Sequence, residues 1–281
     1  MTNVPTLLRT PHGYAGLILI AVFWPLNWLL PDETRRTSYL FFPLWLGYAL
    51  AMDALVLARS GTSILSRSQR DFVCLFFTSA PAWWLFECIN KRTRNWEYLG
   101  SEAFSGFEYF VLATLSFSTV MPAVFETAEW VRTFRWTKRF ENGPCLAATP
   151  RLAAALFLAG LIMLSLTLVW PSFCYPLVWG AVFLILEPIN IALGRPHLFQ
   201  PLSRGDWRPV VSLSLGALLC GFFWEMWNFY SYPKWIYHTP GAEFLYVFEM
   251  PLPGFLGYLP FAWELYALRN LLTPRAESLR L

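Results

Sequence analysis

Charge is what this sequence has least of. Only 14% of its 281 residues are Asp, Glu, Lys or Arg, against about 25% in an ordinary soluble domain, too few to cover a water-exposed globule. The net charge of +3 is spread over short loops and forms no basic stripe, which excludes a nucleic-acid footprint. Histidine is nearly missing: His12, His197 and His238 are the whole supply, so histidine-rich metal sites are excluded. The five cysteines, Cys74, Cys88, Cys145, Cys174 and Cys220, are odd in number and contain no C-x-x-C pair. They read as free thiols packed mostly inside helices. No P-loop, G-x-G-x-x-G, H-E-x-x-H or G-x-S-x-G occurs, which removes the common phosphate, dinucleotide, zinc-protease and serine-hydrolase signatures.

What the chain does have is apolar length. Hydrophobic residues make up 56% of it and aromatics 19%, with 15 Trp and 25 Phe, and the mean hydropathy is +0.43. A helix needs about 20 apolar residues to cross a bilayer, and eight such runs are found: Tyr14–Leu30, Tyr39–Ala58, Phe72–Asn90, Tyr109–Trp130, Leu152–Trp170, Phe173–Leu193, Val210–Tyr230 and Phe244–Leu268. The first follows Arg9 as a signal peptide would, but it holds Pro25 and two Trp and lacks a small-residue cleavage site, so it is expected to stay as a span. The fold class is therefore an all-α integral membrane protein of about eight transmembrane helices.

Basic residues are retained on the cytoplasmic side. In an eight-span arrangement one side receives Arg9, Arg59, Arg67, Arg70, Arg132, Arg135, Lys138, Arg139, Arg151, Arg195, Arg204, Arg208, Arg269, Arg275 and Arg280, and the other only Arg35, Arg36, Lys91, Arg92, Arg94 and Lys234. Both termini are expected in the cytoplasm, of a bacterial-type inner (plasma) membrane.

The chain also resembles itself. At a shift of 138 residues Glu87 falls on Glu225, Asn90 on Asn228, Phe110 on Phe248, Pro122 on Pro260 and Glu126 on Glu264; one residue of slippage brings Trp96-x-Tyr98 onto Trp235-x-Tyr237. At a shift of 134, Trp45 and Asp53 fall on Trp179 and Glu187. Membrane bias explains recurring aromatics but not glutamates, each of which costs about 2.5–3.5 kcal/mol or more near the bilayer centre. Residues 1–140 and 141–281 are thus read as two four-helix repeats, of the same orientation because each crosses an even number of times, with the site between the halves.

The six matched acids, Asp53 and Glu187, Glu87 and Glu225, Glu126 and Glu264, are the leading functional candidates. A carboxylate in hydrocarbon must find a partner, a proton or water. E-x-x-N recurs at Glu87/Asn90, Glu187/Asn190 and Glu225/Asn228, a spacing that puts both side chains on one helix face. Such a pair can hold a hard cation, Mg²⁺, Mn²⁺ or Ca²⁺, or keep a carboxyl neutral by hydrogen bonds; it can also serve only as an interhelical clamp. Apart from that cation no cofactor is expected. Aromatics crowd the acids in Trp83-Trp84-Leu85-Phe86-Glu87 and in Phe222 to Tyr230, a setting for a cation or carbocation, while an interfacial belt accounts equally for Trp83 and Trp227. Simple spans place Glu87 and Glu225 toward the outer end and Glu126 and Glu264 toward the inner. Prolines at 122, 251, 253 and 260 offer helix breaks that could bring all of them to one depth, and they make Glu249 a site candidate.

The functional expectation is a membrane-embedded enzyme, of cyclase, isomerase or hydrolase type, that uses these acids for proton transfer on a lipid or isoprenoid-like apolar substrate. Glu225, Glu87 and Glu264 are the catalytic acids, with Asn228 and Asn90 orienting them. Asp53, Glu126, Glu187, Asn190, Trp224, Trp227, Tyr230, Tyr237, His238 and Glu249 surround the substrate, with Tyr230, Tyr237 or His238 as a relay. The pocket is expected to be lined by Trp224, Trp227, Phe86 and Trp263. Partners are the bilayer and the small apolar substrate, and nothing in the sequence sets an oligomeric state. The alternatives are a proton- or cation-coupled transporter with paired acids between parallel repeats, and a scaffold subunit whose polar residues are packing glue.

Overall fold

The computed structural model describes residues 10–29, 36–273 and 279–281; Arg9, Leu30, Arg35 and Arg275, used above, lie outside the described residues. Helix α1 (Pro11–Leu29) is followed by α2 (Phe41–Ser60), a one-turn α3 (Ile64–Arg67) and α4 (Gln69–Thr93), then strand β1 (Trp96–Leu99), α5 (Gly106–Phe117) and α6 (Val120–Arg132). The second half carries α7 (Pro150–Val169), short α8 (Pro171–Cys174), α9 (Val178–Ala192), one-turn α10 (Phe199–Leu202), α11 (Arg208–Phe229), β2 (Lys234–Tyr237), β3 (Tyr246–Val247), β4 (Met250–Pro251) and α12 (Tyr258–Leu272). With α5–α6 and α8–α9 each taken as one stretch, seven helices among the described residues are long and apolar enough to cross a bilayer. This is the build of an integral membrane protein.

The structure departs from the sequence reading at the eighth span. Residues 244–257 are not helical: they form a small hairpin, β3 against β4, and a 3-10 turn, Leu252–Gly257. Pro251 and Pro253 lack the backbone donors a helix would need there, so α12 has only 15 residues. The stretch expected as one helix between residues 109 and 130 is likewise two, broken at Ser118–Thr119. Pro122 sits in the first turn of α6, where a missing N–H costs nothing. Ser79 of α4 plugs the break: its hydroxyl donates to the Phe117 carbonyl at 2.5 Å and accepts from the Met121 N–H at 3.0 Å.

Nor is the chain wholly helical. Trp96-x-Tyr98 and Trp235-x-Tyr237 alternate with the period of a strand, and β1 pairs antiparallel with β2, Trp96 opposite Tyr237 and Tyr98 opposite Trp235. Because β1 follows α4 and β2 follows α11, these two helices end at the same level of the molecule.

Helices pack closely where side chains are small. A Cβ at Gly16 would stand 2.7 Å from the Gly47 carbonyl oxygen, which lets α1 lie on α2; one at Gly160 would stand 2.9 Å from the Ile185 nitrogen, with α7 on α9. α1 and α7 are peripheral, with Ile18, Leu158 and Ile162 exposed. The core lies among α2, α4, α6, α9, α11 and α12, where Trp45, Trp227, Phe86, Phe125 and Phe261 are fully buried. All five cysteines are free thiols, but only Cys220 is buried and Cys88 and Cys145 are exposed.

Candidate active site

Between the β1–β2 sheet and the ends of α4, α5, α9, α11 and α12 lies a cavity of about 480 Å³, within the range of small-molecule sites. Its walls are aromatic: Trp83, Trp96, Trp179, Trp224, Trp235 and Phe261 line it. Trp96 stacks on Trp179 at 6.1 Å between centroids, and Trp224 on Tyr258 at 5.9 Å. The polar points on this surface include the hydroxyls of Tyr98, Tyr237 and Tyr258.

Behind those hydroxyls stand two glutamates. On α4, Glu87 Oε1 accepts from the Tyr98 hydroxyl at 2.6 Å and from the indole N–H groups of Trp83 and Trp96, each at 3.0 Å. On α11, Glu225 Oε1 accepts from the Tyr237 hydroxyl at 2.7 Å and the Tyr258 hydroxyl at 2.8 Å. Trp235 donates its indole N–H to the Tyr237 oxygen at 2.8 Å. Glu225 is fully buried, and its Oε2 has no hydrogen-bond partner among the described residues. Tyr98 and Tyr237 lie on the strands, outside the helices. Burial first, and then the neighbouring Glu87 or Glu225, holds each phenol well above the ordinary tyrosine range, so both remain hydrogen-bond donors at any physiological pH.

The asparagines do something other than expected. Asn90 donates to the Trp96 carbonyl at 2.8 Å and accepts from the N–H groups of Asn95, at 2.9 Å, and Trp96, at 3.3 Å. Asn228 donates to the Trp235 carbonyl at 2.7 Å and accepts from the Trp235 N–H at 2.9 Å. Their carboxamides are committed to the backbone that follows the helix, so they do not join the carboxylates in one ligand face. They hold the strands from which the tyrosines and tryptophans reach the acids. Asn190 instead crosses to α12, donating to the Ala267 carbonyl at 2.9 Å.

The other acids are elsewhere. Glu264 is fully buried one turn beyond Phe261 and accepts from the Val182 N–H of α9 at 3.2 Å. Asp53 accepts from the Ser63 hydroxyl at 2.7 Å and the Leu65 N–H at 2.9 Å, capping α3, with His12 Nε2 3.1 Å away. Glu187 caps α10 through the Leu198 N–H. Glu126 lies beside Asp53 and receives no N–H or O–H donor among the described residues. Nearby Glu129 holds Arg67 at 2.5 and 2.7 Å. The expected single pocket therefore gathers two acids, and the rest serve helix caps and seams.

Several expected pocket residues also point away. Trp227 is buried between Trp24, Trp45 and Tyr48, and Phe86 stacks behind Trp179. Trp263 donates to the Ser214 hydroxyl at 2.9 Å. Tyr230 is exposed against Trp28, and His238 is exposed, 3.1 Å from Glu97. Glu249 pairs with Lys234. Among the described residues no three His, Cys, Asp or Glu side chains come together in a group fit to hold a metal ion. Tyr98 and Tyr258 were missed in the sequence. Tyr98 was legible as the repeat mate of Tyr237; Tyr258, 33 residues after Glu225 and beyond an irregular loop, carried no signal. Compared with known protein families, curated proteins and solved structures, the chain has no match.

Proposed function

We propose that the chain is a membrane-embedded enzyme that moves protons to and from an apolar, isoprenoid-like substrate held in the aromatic cavity. The observation that carries this reading is that two glutamates, one on α4 and one on α11, each present tyrosine hydroxyls to a single cavity. Glu225 in its protonated form is the acid, with the proton on Oε1, the oxygen that faces the two phenols. The Tyr258 or Tyr237 hydroxyl turns into the cavity and gives its proton to an olefinic carbon as its oxygen takes the one from Glu225 Oε1. The π pair becomes the new C–H bond and leaves a carbocation facing the rings. Glu87, whose Oε1 already accepts three donors, is the base: Tyr98 takes a proton from the carbon beside the cation and gives its own to the Glu87 carboxylate, and the C–H electrons close a new double bond. The substrate is isomerised or cyclised with no net change in composition, and the enzyme resets by exchanging one proton with water. Asn90 and Asn228 are positioning residues.

The same reading takes α12 together with the irregular stretch before it as an eighth crossing, and hence the two halves as parallel repeats with both termini cytoplasmic in a plasma membrane of bacterial type. Matching contacts support it: Asp53 caps α3 as Glu187 caps α10, Asn90 holds Trp96 as Asn228 holds Trp235, and Tyr98 meets Glu87 as Tyr237 meets Glu225. The second reading, a proton-coupled transporter, draws on the buried Asp53–Glu126–Glu129 group away from the cavity.

The test uses the full chain in nanodiscs, incubated in deuterated buffer with a panel of neutral polyprenyl olefins. Mass spectrometry should find deuterium in at least one of them, lost with Glu225→Gln. Proton flux in proteoliposomes that needs Glu126 and Glu225, with no label in any olefin, would replace the enzyme by the transporter.

A further inference from the structure

We infer that the cavity recognises a positively charged organic group and rejects anionic ones, so that its substrate enters as a neutral olefin and not as an isoprenoid diphosphate or a phospholipid. This rests on the reading of the cavity as the substrate site. Among the described residues that line it there is no Lys, Arg or His, and no Asp or Glu. A phosphate placed here would lose its water without gaining a cationic partner, which is among the most costly burials in a protein.

Among the described residues at this end of the molecule, Lys234, His238 and Arg92 have partners outside the cavity, Arg92 donating to the Val169 carbonyl at 3.4 Å. Lys234 pairs with Glu249 and lies over the Phe229 ring at 5.6 Å. His238 is exposed beside Glu97, which alternates with the inward-facing Trp96 and Tyr98 along β1. What does face the cavity is of the opposite kind: indole and phenyl rings, whose faces attract cations, backed on one wall by Glu87 and on the other by Glu225. The Glu225 Oε2 is the second, independent pointer, a fully buried carboxyl oxygen without a donor among the described residues. Once Glu225 has given up its proton, a cation in the cavity would balance the carboxylate.

The geometry therefore favours initiation by protonation. An olefin taking a proton from the Glu225 side becomes a cation where rings and carboxylates can hold it, whereas ionisation of a diphosphate would require cationic groups to bind the leaving anion.

The experiment compares three probes of one length in nanodiscs holding the full chain: hexyltrimethylammonium, its neutral isostere 2,2-dimethyloctane, and hexyl phosphate. Each is read as an apparent affinity from the rise of the unfolding midpoint with probe concentration, corrected for partition into protein-free discs. The ammonium is expected to bind at least tenfold tighter than the isostere, and the phosphate not to stabilise the chain. Glu225→Gln is expected to bring the ammonium-to-isostere ratio toward one; Trp179→Leu, which leaves both acids in place, should lower the same ratio if the glutamine variant does not fold. Equal binding of ammonium and isostere, or tighter binding of the phosphate, overturns the inference and leaves the cavity as a ligand site. Absence of a shift with all three overturns the cavity itself and the proposed function with it.

Discussion

Replacing Asn228 by Ala separates a positioning role from a chemical one. Asn228 is fully buried at the end of α11 and spends its carboxamide on both backbone groups of Trp235, at 2.7 and 2.9 Å. Alanine removes both bonds. A net loss of about 1 kcal/mol per hydrogen bond, rising to about 1–3 where the partner stays buried and unpaired, gives about 2–4 kcal/mol in all. The cost falls on β2, whose remaining ties are its short ladder with β1 and the contacts of its side chains, so the strand should open locally while α11 stays folded. At 1.4 kcal/mol per tenfold, the Trp235 amide is expected to exchange with deuterium about 30- to 700-fold faster, read by mass spectrometry on peptides covering residues 231–239, with the interior of α11 as the internal control. Asn228→Asp keeps the acceptor and loses the donor, and should show about half the energetic effect. Because Tyr237 rides on β2 and reaches Glu225, activity should fall with the loss of strand protection. Unchanged exchange at Trp235 in the alanine variant would refute the positioning role; loss of protection along all of α11 would refute its local character.

Ser79→Ala unplugs the break between α5 and α6 and leaves the Phe117 carbonyl and the Met121 N–H unpaired; a loss of about 2–4 kcal/mol is expected, read from denaturant titration in detergent, and a variant as stable as the parent would contradict it. Arg67→Met strands Glu129, which is only 3% exposed, without its cation. It should cost about 3–5 kcal/mol, much of it recovered in the double variant with Glu129→Gln; a double variant weaker than the single would sink this account. Burial first, and then the glutamates, hold the Tyr98 and Tyr237 phenols well above the ordinary tyrosine value of about 10. The unfolded chain therefore ionises first, and the stability they contribute below pH 10 is lost as pH rises above it. Unfolding midpoints taken from pH 9 to 11.5 should fall more steeply in the parent than in a Tyr98→Phe/Tyr237→Phe variant, and parallel curves would argue against the shift.

Some of the site is legible in the amino-acid sequence alone. Glu87 and Glu225 stood out because a carboxylate in an apolar run is costly and because both recur at one spacing. Trp96-x-Tyr98 and Trp235-x-Tyr237 were matched as a pair, which named Tyr237 and left Tyr98 one step away. What misled was the E-x-x-N spacing: a helix face brings Glu and Asn side by side, but Asn90 and Asn228 sit in the last turn, where backbone groups beyond the helix end compete for the carboxamide.

Composition and periodicity, then, determined that this chain enters a membrane, roughly where its helices lie, and which acids are out of place in hydrocarbon. These follow from transfer free energies and local backbone geometry, which each segment carries alone. Only the tertiary structure decided which acids share a cavity, which cap helices and which way each ring turns. Glu225 meets Tyr258 across an irregular loop, and Glu87 meets Tyr98 because β1 pairs with a strand from the other half of the chain. Contacts of that kind depend on where helices stop and how closely their small residues let them approach, and neither is a property of any one segment.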